Sequence, residues 1–165
     1  MKVDKIYLIG FMAAGKSTLA RALADRLCWR VEDIDELIEV RERRTVAEIF
    51  AQRGEPYFRT VERDMVQLVR PLRQVVVATG GGTFVDPDNR TAINTDGLSI
   101  WVDVPFVRIL TRLGPGLKRP LTADRSRLER LFNARQAAYR LAHLRLDAST
   151  ANVDDLVDQV MAWLE

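Results

Sequence analysis

With 165 residues, the chain has the length of one domain, and we predict a single domain over residues 1–165. A hydrophobic content of 47%, a charged content of 29% and a net charge of +2 are typical of globular proteins and do not favour nucleic-acid binding. One cysteine and one histidine exclude an intrachain disulfide and a typical zinc site within this chain. Because no apolar run could span a membrane and no signal peptide is evident, we expect a cytoplasmic protein without membrane partners.

The first predicted elements surround a glycine-containing loop. Residues 6–9 are an apolar run typical of a buried strand, and apolar residues recur at helical spacing over residues 19–27. Between them, residues 10–17 read Gly-Phe-Met-Ala-Ala-Gly-Lys-Ser and match G-x-x-x-x-G-K-[ST]. The order strand, loop, helix favours a phosphate-binding P-loop over a glycine turn that merely begins a helix. Lys16 would then reach the β- and γ-phosphates, and the Ser17 hydroxyl would bind Mg²⁺.

A second strand is predicted at residues 28–32, and Asp33 and Asp35 follow it at the start of a helix. Carboxylates at this place could bind the Mg²⁺ of a nucleotide, or orient and deprotonate an acceptor hydroxyl. The alternative is structural, because Asp33 and Glu36 have the spacing of a helix cap. The P-loop in the same chain makes us favour the functional interpretation.

Two helices are predicted next. A capping box at residues 45–48 begins the first helix, and Gly54 ends it. Pro56 begins a longer second helix. Arg59 lies beside the apolar stripe of that helix with Glu62 three residues later, a spacing that by itself predicts a solvated ion pair.

A continuous apolar run at residues 75–78 predicts a strand covered on both faces. It ends in Gly80, Gly81 and Gly82, which could form a flexible turn or allow the backbone to approach a ligand closely, and we favour the second interpretation. Further strands at residues 98–102 and 144–147 alternate with helices. The predicted fold class is therefore α/β with a parallel sheet, and its active cleft should lie at the carboxyl ends of the strands.

Two basic segments follow in the second half of the chain. Residues 114–120 form a loop in which Arg119 could be a surface charge or, in a phosphoryl-transfer enzyme, a lid arginine assisted by Lys118. Arg135 lies within a predicted helix over residues 124–142, in the middle of an apolar stripe that includes Leu128, Leu131, Phe132, Tyr139 and Ala142. A charge there requires either a structural salt bridge or a bound carboxylate or phosphate.

Together these segments resemble the shikimate kinases, from residue 6 to about residue 147. A P-loop alone is shared by many unrelated enzymes, whereas the order of the other motifs is more specific. The motifs are the P-loop, Asp33-Ile34-Asp35, Gly54-Glu55-x-x-Phe58-Arg59, Ala78-Thr79-Gly80-Gly81-Gly82, Arg119-Pro120-Leu121 and Arg135-x-x-x-Tyr139. The resemblance implies a three-layer α/β/α P-loop fold with a five-stranded parallel sheet, a substrate-binding helical region at about residues 33–62 and a mobile lid at about residues 112–124.

The resemblance also implies transfer of the γ-phosphoryl group of ATP to the 3-hydroxyl of shikimate, in aromatic amino-acid biosynthesis, by an enzyme that we expect to be a monomer. Ser17 and Asp33 would contact Mg²⁺, and the catalytic residues would be Lys16, Asp35 and Arg119. The implied ATP contacts are Gly10, Ala13, Ala14, Gly15, Lys16, Ser17, Thr18, Arg112 and Arg119. The implied shikimate contacts are Asp35 at the hydroxyls, Arg59 and Arg135 at the carboxylate, and Gly80, Gly81 and Gly82.

Other functions remain possible at this stage. A kinase of another carbohydrate acid, such as gluconate, would share the P-loop and a nearby aspartate. A nucleoside monophosphate kinase would need a larger base-binding segment than the sequence provides. A non-catalytic nucleotide-binding domain could have lost Lys16, Asp35 or Arg119, whereas all three are present.

Overall fold

The computed structural model describes residues 2–114 and 122–165. Lys118, Arg119 and most of the predicted lid lie outside the described residues. No described helix is both long enough and apolar enough to cross a membrane.

The core of the fold is one sheet of five parallel strands. The strands are β1 (Lys5–Ile9), β2 (Arg30–Asp33), β3 (Val75–Ala78), β4 (Leu98–Asp103) and β5 (Leu144–Asp147). Their order in the sheet is β2-β3-β1-β4-β5, so β1 is central. Every residue of β1 and β3 is buried, as expected for a parallel sheet covered on both faces. The predicted α/β fold is confirmed.

Helices connect the strands and follow the last one. They are α1 (Lys16–Leu27), α2 (Ile34–Glu42), α3 (Val46–Val69), α4 (Pro87–Asp96), α5 (Phe106–Leu113), α6 (Thr122–Tyr139) and α7 (Val153–Leu164), with a 3-10 turn at Thr83–Val85. The capping box of α3 is present, because Thr45 and Glu48 each accept a hydrogen bond from the other's backbone amide. Gly54, at φ +81°, breaks the helical backbone of α3 at the predicted boundary.

Three elements differ from the sequence-based prediction in ways that have a clear physical reason. The second strand begins later because Cys28 adopts a left-handed conformation, with φ +55°, that ends α1. Helix α4 begins at its predicted cap but continues past Arg90 to Asp96, since packing of the buried Ile93 outweighs weak helix propensity. Helix α6 ends at Tyr139, so Ala142 lies beyond it, and Leu131 of the predicted apolar stripe is exposed.

A buried lysine fixes the amino end of β1. Lys5 is fully buried, and its Nζ donates hydrogen bonds to the carbonyl oxygens of Val69 and Arg70 at 2.9 and 2.7 Å. It also donates to the carboxylate of Asp96 at 2.6 Å, and the Tyr7 hydroxyl donates to the same oxygen. This network ties the ends of α3 and α4 to the central strand.

The topology brings the predicted functional segments to the opposite edge of the sheet. The chain leaves β1 through the P-loop, β2 ends at Asp33, and residues 79–82 follow β3. Because β1, β3 and β2 are neighbours, these three carboxyl ends lie side by side. After β3 the chain crosses to the other side of β1, which creates the crevice where α/β proteins bind ligands.

Candidate active site

Backbone geometry explains two glycines of the P-loop. Gly10 has φ +151°, and a Cβ there would lie 2.8 Å from the carbonyl oxygen of Val102, so a larger residue would collide with β4. Gly15 has φ +92° and is the N-cap of α1. Ala13 also adopts a left-handed conformation, at φ +58°, although it carries a Cβ. Such a conformation costs an alanine roughly 1 kcal/mol.

The start of α1 lacks the side-chain cap that most other helices have. Its N-cap is Gly15, no side chain accepts from its first turn, and that turn contains no acidic residue. By contrast, α2, α3, α4 and α7 are capped by the side chains of Asp33, Thr45, Asp86 and Asn152. The amides of the first turn of α1 therefore remain available to an anion, which the helix dipole also attracts.

Lys16 is folded into the P-loop. Its Nζ donates to the carbonyl oxygens of Gly10 and Phe11, both at 2.7 Å. Burial lowers the pKa of Lys16 to about 8, against the opposing attraction of Asp35 and Asp33. The oxygens of a bound phosphate could replace the two carbonyls as acceptors, and they would return a full countercharge to this ammonium group.

The two carboxylate oxygens of Asp33 accept hydrogen bonds from different groups. Its Oδ1 accepts from the backbone amides of Asp35 and Glu36, so the predicted helix cap is present. Its Oδ2 accepts from the Ser17 hydroxyl at 2.7 Å. The described residues contain no cluster of three or more metal-ligating side chains. A hydroxyl and one carboxylate fit Mg²⁺ in the manner of nucleotide sites, in which phosphate oxygens and water supply the other ligands.

Asp35 lies in the first turn of α2 and faces Gly80, just after the end of β3. Burial raises its pKa to about 6, and the negative charges of Asp33 and Glu62 add to this shift, while Lys16 opposes it. A carboxylate whose pKa lies close to the working pH can accept a proton and still be ionised before it does so. Asp35 therefore has the properties of a general base.

The three consecutive glycines each border a different functional side chain. A Cβ on Gly80 would lie 2.9 Å from Oδ1 of Asp35, and a Cβ on Gly81 would lie 2.9 Å from a guanidinium nitrogen of Arg135. A Cβ on Gly82 would collide with the guanidinium of Arg59. None of the three has a left-handed φ. The three glycines therefore leave room for these side chains in their observed positions, in agreement with the close approach that the sequence predicted.

The expectation of a solvated ion pair at Arg59 is wrong. Arg59 donates to Glu62 at 2.8 Å, and the Glu62 side chain is only 1% exposed. The second carboxylate oxygen of Glu62 accepts from the Thr83 hydroxyl at 2.8 Å. Glu55 adds a further ion pair to Arg59 at 3.3 Å. The Arg59 guanidinium is therefore held in place by two carboxylates.

Arg135 has no such partner. Within the described part of the chain, no carboxylate oxygen lies within 4.0 Å of its guanidinium, so the structural salt bridge is not formed there. The guanidinium carbon instead lies 5.7 Å from the centroid of the Phe11 ring. Next to it, the Tyr139 hydroxyl donates to the carbonyl oxygen of Gly81 at 2.5 Å. A half-buried arginine that meets no carboxylate within the described residues is suited to bind a ligand anion.

Sequence reasoning did not single out Glu62, Thr83 or the Phe11 ring as parts of this site. The spacing of Glu62 from Arg59 was a usable signal, whereas Thr83 and Phe11 join the site only through the tertiary fold. The predicted nucleotide contact Arg112 donates to the carbonyl oxygen of Ala13 at 2.9 Å, so it lies against the P-loop. Its stacking on adenine stays a prediction, and Arg119 lies outside the described residues.

The candidate residues line a common space. A cavity of about 330 Å³ is bounded by the P-loop, Asp33, Asp35 and residues 79–81. It brings together Lys16, the Ser17–Asp33 pair and Asp35. Arg59 and Arg135 border the same glycine segment through Gly82 and Gly81.

Comparisons with known proteins agree with this geometry. A family model described as "Shikimate kinase" matches residues 12–165. The chain is 36% identical to a shikimate kinase of Sulfurihydrogenibium sp. (strain YO3AOP1) over 164 residues, which cover 99% of each chain. It is 37% identical to a shikimate kinase of Geobacter metallireducens over 166 residues, covering 99% of this chain and 93% of that protein.

Solved structures give the same result. The chain is similar to a shikimate kinase from Acinetobacter baumannii in complex with shikimate, with a TM-score of 0.91 and 30% identity over 98% of this chain and 93% of that one. A shikimate kinase structure from Bacteroides thetaiotaomicron matches with a TM-score of 0.89 and 29% identity, covering 98% of both chains.

Proposed function

This chain belongs to the shikimate kinase family, and on that premise we propose that it transfers the γ-phosphoryl group of ATP to the 3-hydroxyl of shikimate. The products would be shikimate 3-phosphate and ADP, and the reaction would belong to aromatic amino-acid biosynthesis. The observation that best supports this function is the position of Asp35 relative to Lys16 and the two arginines. The carboxylate of Asp35, with its raised pKa, lines the same cavity as Lys16 and borders the glycine segment that Arg59 and Arg135 also border.

The P-loop would bind the phosphates of ATP. The amides at the start of α1 and the Lys16 ammonium would contact the β- and γ-phosphates, and Gly10, Ala13, Ala14, Gly15 and Thr18 would complete the loop. Ser17 and Asp33 would hold Mg²⁺, which when bound neutralises charge on the phosphate oxygens. Arg112 would contact the adenine side, and Arg119 would stabilise negative charge as the phosphoryl group moves.

The other half of the site would bind the acceptor. Arg59 and Arg135 would bind the shikimate carboxylate, which places the 3-hydroxyl at Asp35 beside Gly80. Asp35 would orient that hydroxyl and accept its proton while the oxygen forms a bond to phosphorus and the bond from phosphorus to the β-phosphate oxygen breaks. Gly80, Gly81 and Gly82 would allow the substrate to lie close to the backbone.

We also propose how the protein is organised. Residues 1–165 would act as one kinase domain, with substrate bound by about residues 33–62 and a lid at about residues 112–124. A monomer is supported by the distribution of exposed apolar side chains, since Val40, Val107 and Trp163 belong to three different helices. A reducing cytoplasm suits the exposed free thiol of Cys28. Light scattering on purified protein would test the monomer.

The test of the proposed function is a measurement of ADP release from Mg·ATP with shikimate, gluconate or a nucleoside monophosphate as the acceptor. We expect release with shikimate alone. Release with gluconate instead would favour a kinase of another carbohydrate acid. Binding of ATP without release in the presence of any acceptor would favour a non-catalytic nucleotide-binding protein.

A further inference from the structure

Both arginines at the proposed carboxylate site lie over a phenylalanine ring, Arg59 over Phe58 at 5.2 Å and Arg135 over Phe11 at 5.7 Å, but within the described residues only Arg59 of the two is paired with carboxylates. Arg59 is fixed by ion pairs with Glu62 and Glu55, and its side chain is 21% exposed. Arg135 has no carboxylate partner within the described residues, and its closest aromatic contact is the ring of Phe11. The charge of Arg59 is therefore compensated within the protein, whereas that of Arg135 is oriented without being neutralised.

Phe11 links this arginine to the P-loop. The residue is 2% exposed, and its ring meets that of Phe132 edge to face, with 5.2 Å between centroids and an interplanar angle of 79°. Phe132 precedes Arg135 by three residues, so it lies one turn earlier on the same side of α6. The backbone carbonyl of Phe11 also accepts a hydrogen bond from Lys16. One residue of the P-loop thus contacts both the phosphate-binding lysine and the carboxylate-binding arginine.

We propose that Phe11 is a positioning residue that orients Arg135 for the carboxylate of the acceptor, an inference that rests on the proposed function. A guanidinium over an aromatic face is attracted to it without losing its charge, so it stays available to an anion. An arginine without this support would lose more side-chain entropy when the acceptor binds. The aromatic contact therefore orients the guanidinium and leaves it free to bind a carboxylate. An ion pair within the protein would instead compete with that carboxylate for the guanidinium.

The first test compares Phe11→Leu and Phe11→Met with the wild type. Both substitutions keep an apolar side chain but remove the ring, and thermal melting identifies the variant that remains folded. We expect the KM for shikimate to rise about three- to tenfold, the range that follows from the strength of cation–π contacts. The KM for ATP should change by less than about twofold, because the P-loop contacts of this residue are made by its backbone.

Phe106→Leu is the matched control. Phe106 packs against Phe132 at 5.3 Å between centroids, and it has no aromatic contact with Arg135. The control thus removes a ring from the same cluster without removing the support of the arginine. An equal rise of the KM for shikimate in the control, or an equal rise of both KM values in the Phe11 variants, would overturn the proposal.

Two further measurements separate positioning from a general loss of packing. In an Arg135→Ala background, Phe11→Leu should cause no further rise of the KM for shikimate. With methyl shikimate, whose carboxylate is esterified, Phe11→Leu should leave the KM unchanged in the otherwise wild-type enzyme. A full three- to tenfold effect in either experiment would contradict a role through Arg135.

Calorimetric binding of shikimate to the same variants separates this inference from the proposed function. A wild-type protein that binds shikimate but releases no ADP would overturn the proposed function alone, since the affinities of the variants would still decide the role of Phe11. A wild-type protein that does not bind shikimate would overturn both.

Discussion

Two buried lysines lie at opposite ends of the central strand, and the protein treats their charges differently. Lys5 begins β1 and donates to two carbonyl oxygens and to the carboxylate of Asp96. Lys16 follows the carboxyl end of β1 and donates to two carbonyl oxygens of its own loop. Within the described part of the chain, no carboxylate lies within 4.0 Å of Lys16. Burial lowers the pKa of both lysines.

These different partners suggest a structural role for the charge of Lys5 and a functional role for the charge of Lys16. A buried ammonium group needs an opposite charge or a full set of acceptors. At the amino end of β1 the protein supplies both, so the charge of Lys5 contributes to the fold. At the carboxyl end the described residues supply carbonyl acceptors without a close carboxylate, and under the proposed function a bound phosphate would provide the countercharge. The same substitution should therefore lower activity at Lys16 and lower stability at Lys5.

The largest effect is expected from Lys16→Met. This change keeps the aliphatic stem and removes the charge, so the γ-phosphoryl group loses its main electrostatic partner. We expect kcat to fall by at least about 10³-fold, the scale of a lost transition-state charge contact. The free energy of unfolding, measured with urea, should change by less than about 1 kcal/mol, because a poorly compensated charge is removed. Activity within tenfold of the wild type would contradict the P-loop assignment.

Asp35→Asn is expected to have the next largest effect. Loss of a general base should lower kcat by about 10²–10⁴, while the affinity for ATP stays nearly unchanged. A collapse of ATP affinity would instead indicate that Asp35 serves the metal or the fold. In the wild type, the pKa of about 6 predicts that kcat/KM falls roughly tenfold per pH unit below about pH 6, as the carboxylate is protonated. The residual activity of the variant should lack this acidic decline.

Asp35→Asn also tests how much the ionised carboxylate of Asp35 lowers the free energy of unfolding. Because the folded-state pKa of Asp35 lies above its ordinary value of 3.8, the folded protein favours the protonated form. The stabilisation that follows is complete below the ordinary pKa and is lost as the pH rises through about 6. At about pH 8 the ionised carboxylate therefore destabilises the fold, and Asp35→Asn should increase the free energy of unfolding by about 1–2 kcal/mol.

Lys5→Met is the counterpart at the structural end. It leaves the carboxylate of Asp96 without its ammonium partner and two buried carbonyl oxygens without a donor. We expect the free energy of unfolding to fall by about 3–5 kcal/mol, the usual result of removing one member of a buried ion pair. The kcat of the folded fraction should stay within about twofold of the wild type, since Lys5 lies at the edge of the sheet away from the site. A selective loss of kcat would contradict the proposed division.

The sequence could distinguish the two lysines only where a local motif marks one of them. The P-loop spacing identified Lys16, whereas nothing near Lys5 predicts that it meets Val69 and Asp96, which are distant in sequence. The cap of α3 at Thr45 and the bounds of β3 were predicted well because both depend on local patterns.

Properties that depend on tertiary contacts were not predictable in the same way. The glycine repeat signalled a close approach, but its neighbours Asp35, Arg59 and Arg135 come from three different helices. Spacing predicted a solvated ion pair for Arg59 and left a salt bridge or a bound anion open for Arg135, whereas the fold shows a buried partner, Glu62, for the first and the Phe11 ring beside the second. A sequence can therefore indicate which charges belong to a site, but the state of each charge depends on the packed structure.

The smallest expected effect concerns backbone strain at one residue of the P-loop. Ala13 adopts φ +58° in the P-loop, so Ala13→Gly should relieve its Cβ while making the unfolded chain more flexible. Because the first effect is at least as large as the second, we expect a net gain of no more than about 0.5 kcal/mol in the free energy of unfolding, measured with urea. Ala14→Gly is the matched control, since Ala14 has no left-handed φ, and it should lose about 0.5–1 kcal/mol. Equal losses in both variants would mean that Ala13 is not strained, and the P-loop would then store no conformational energy at that residue.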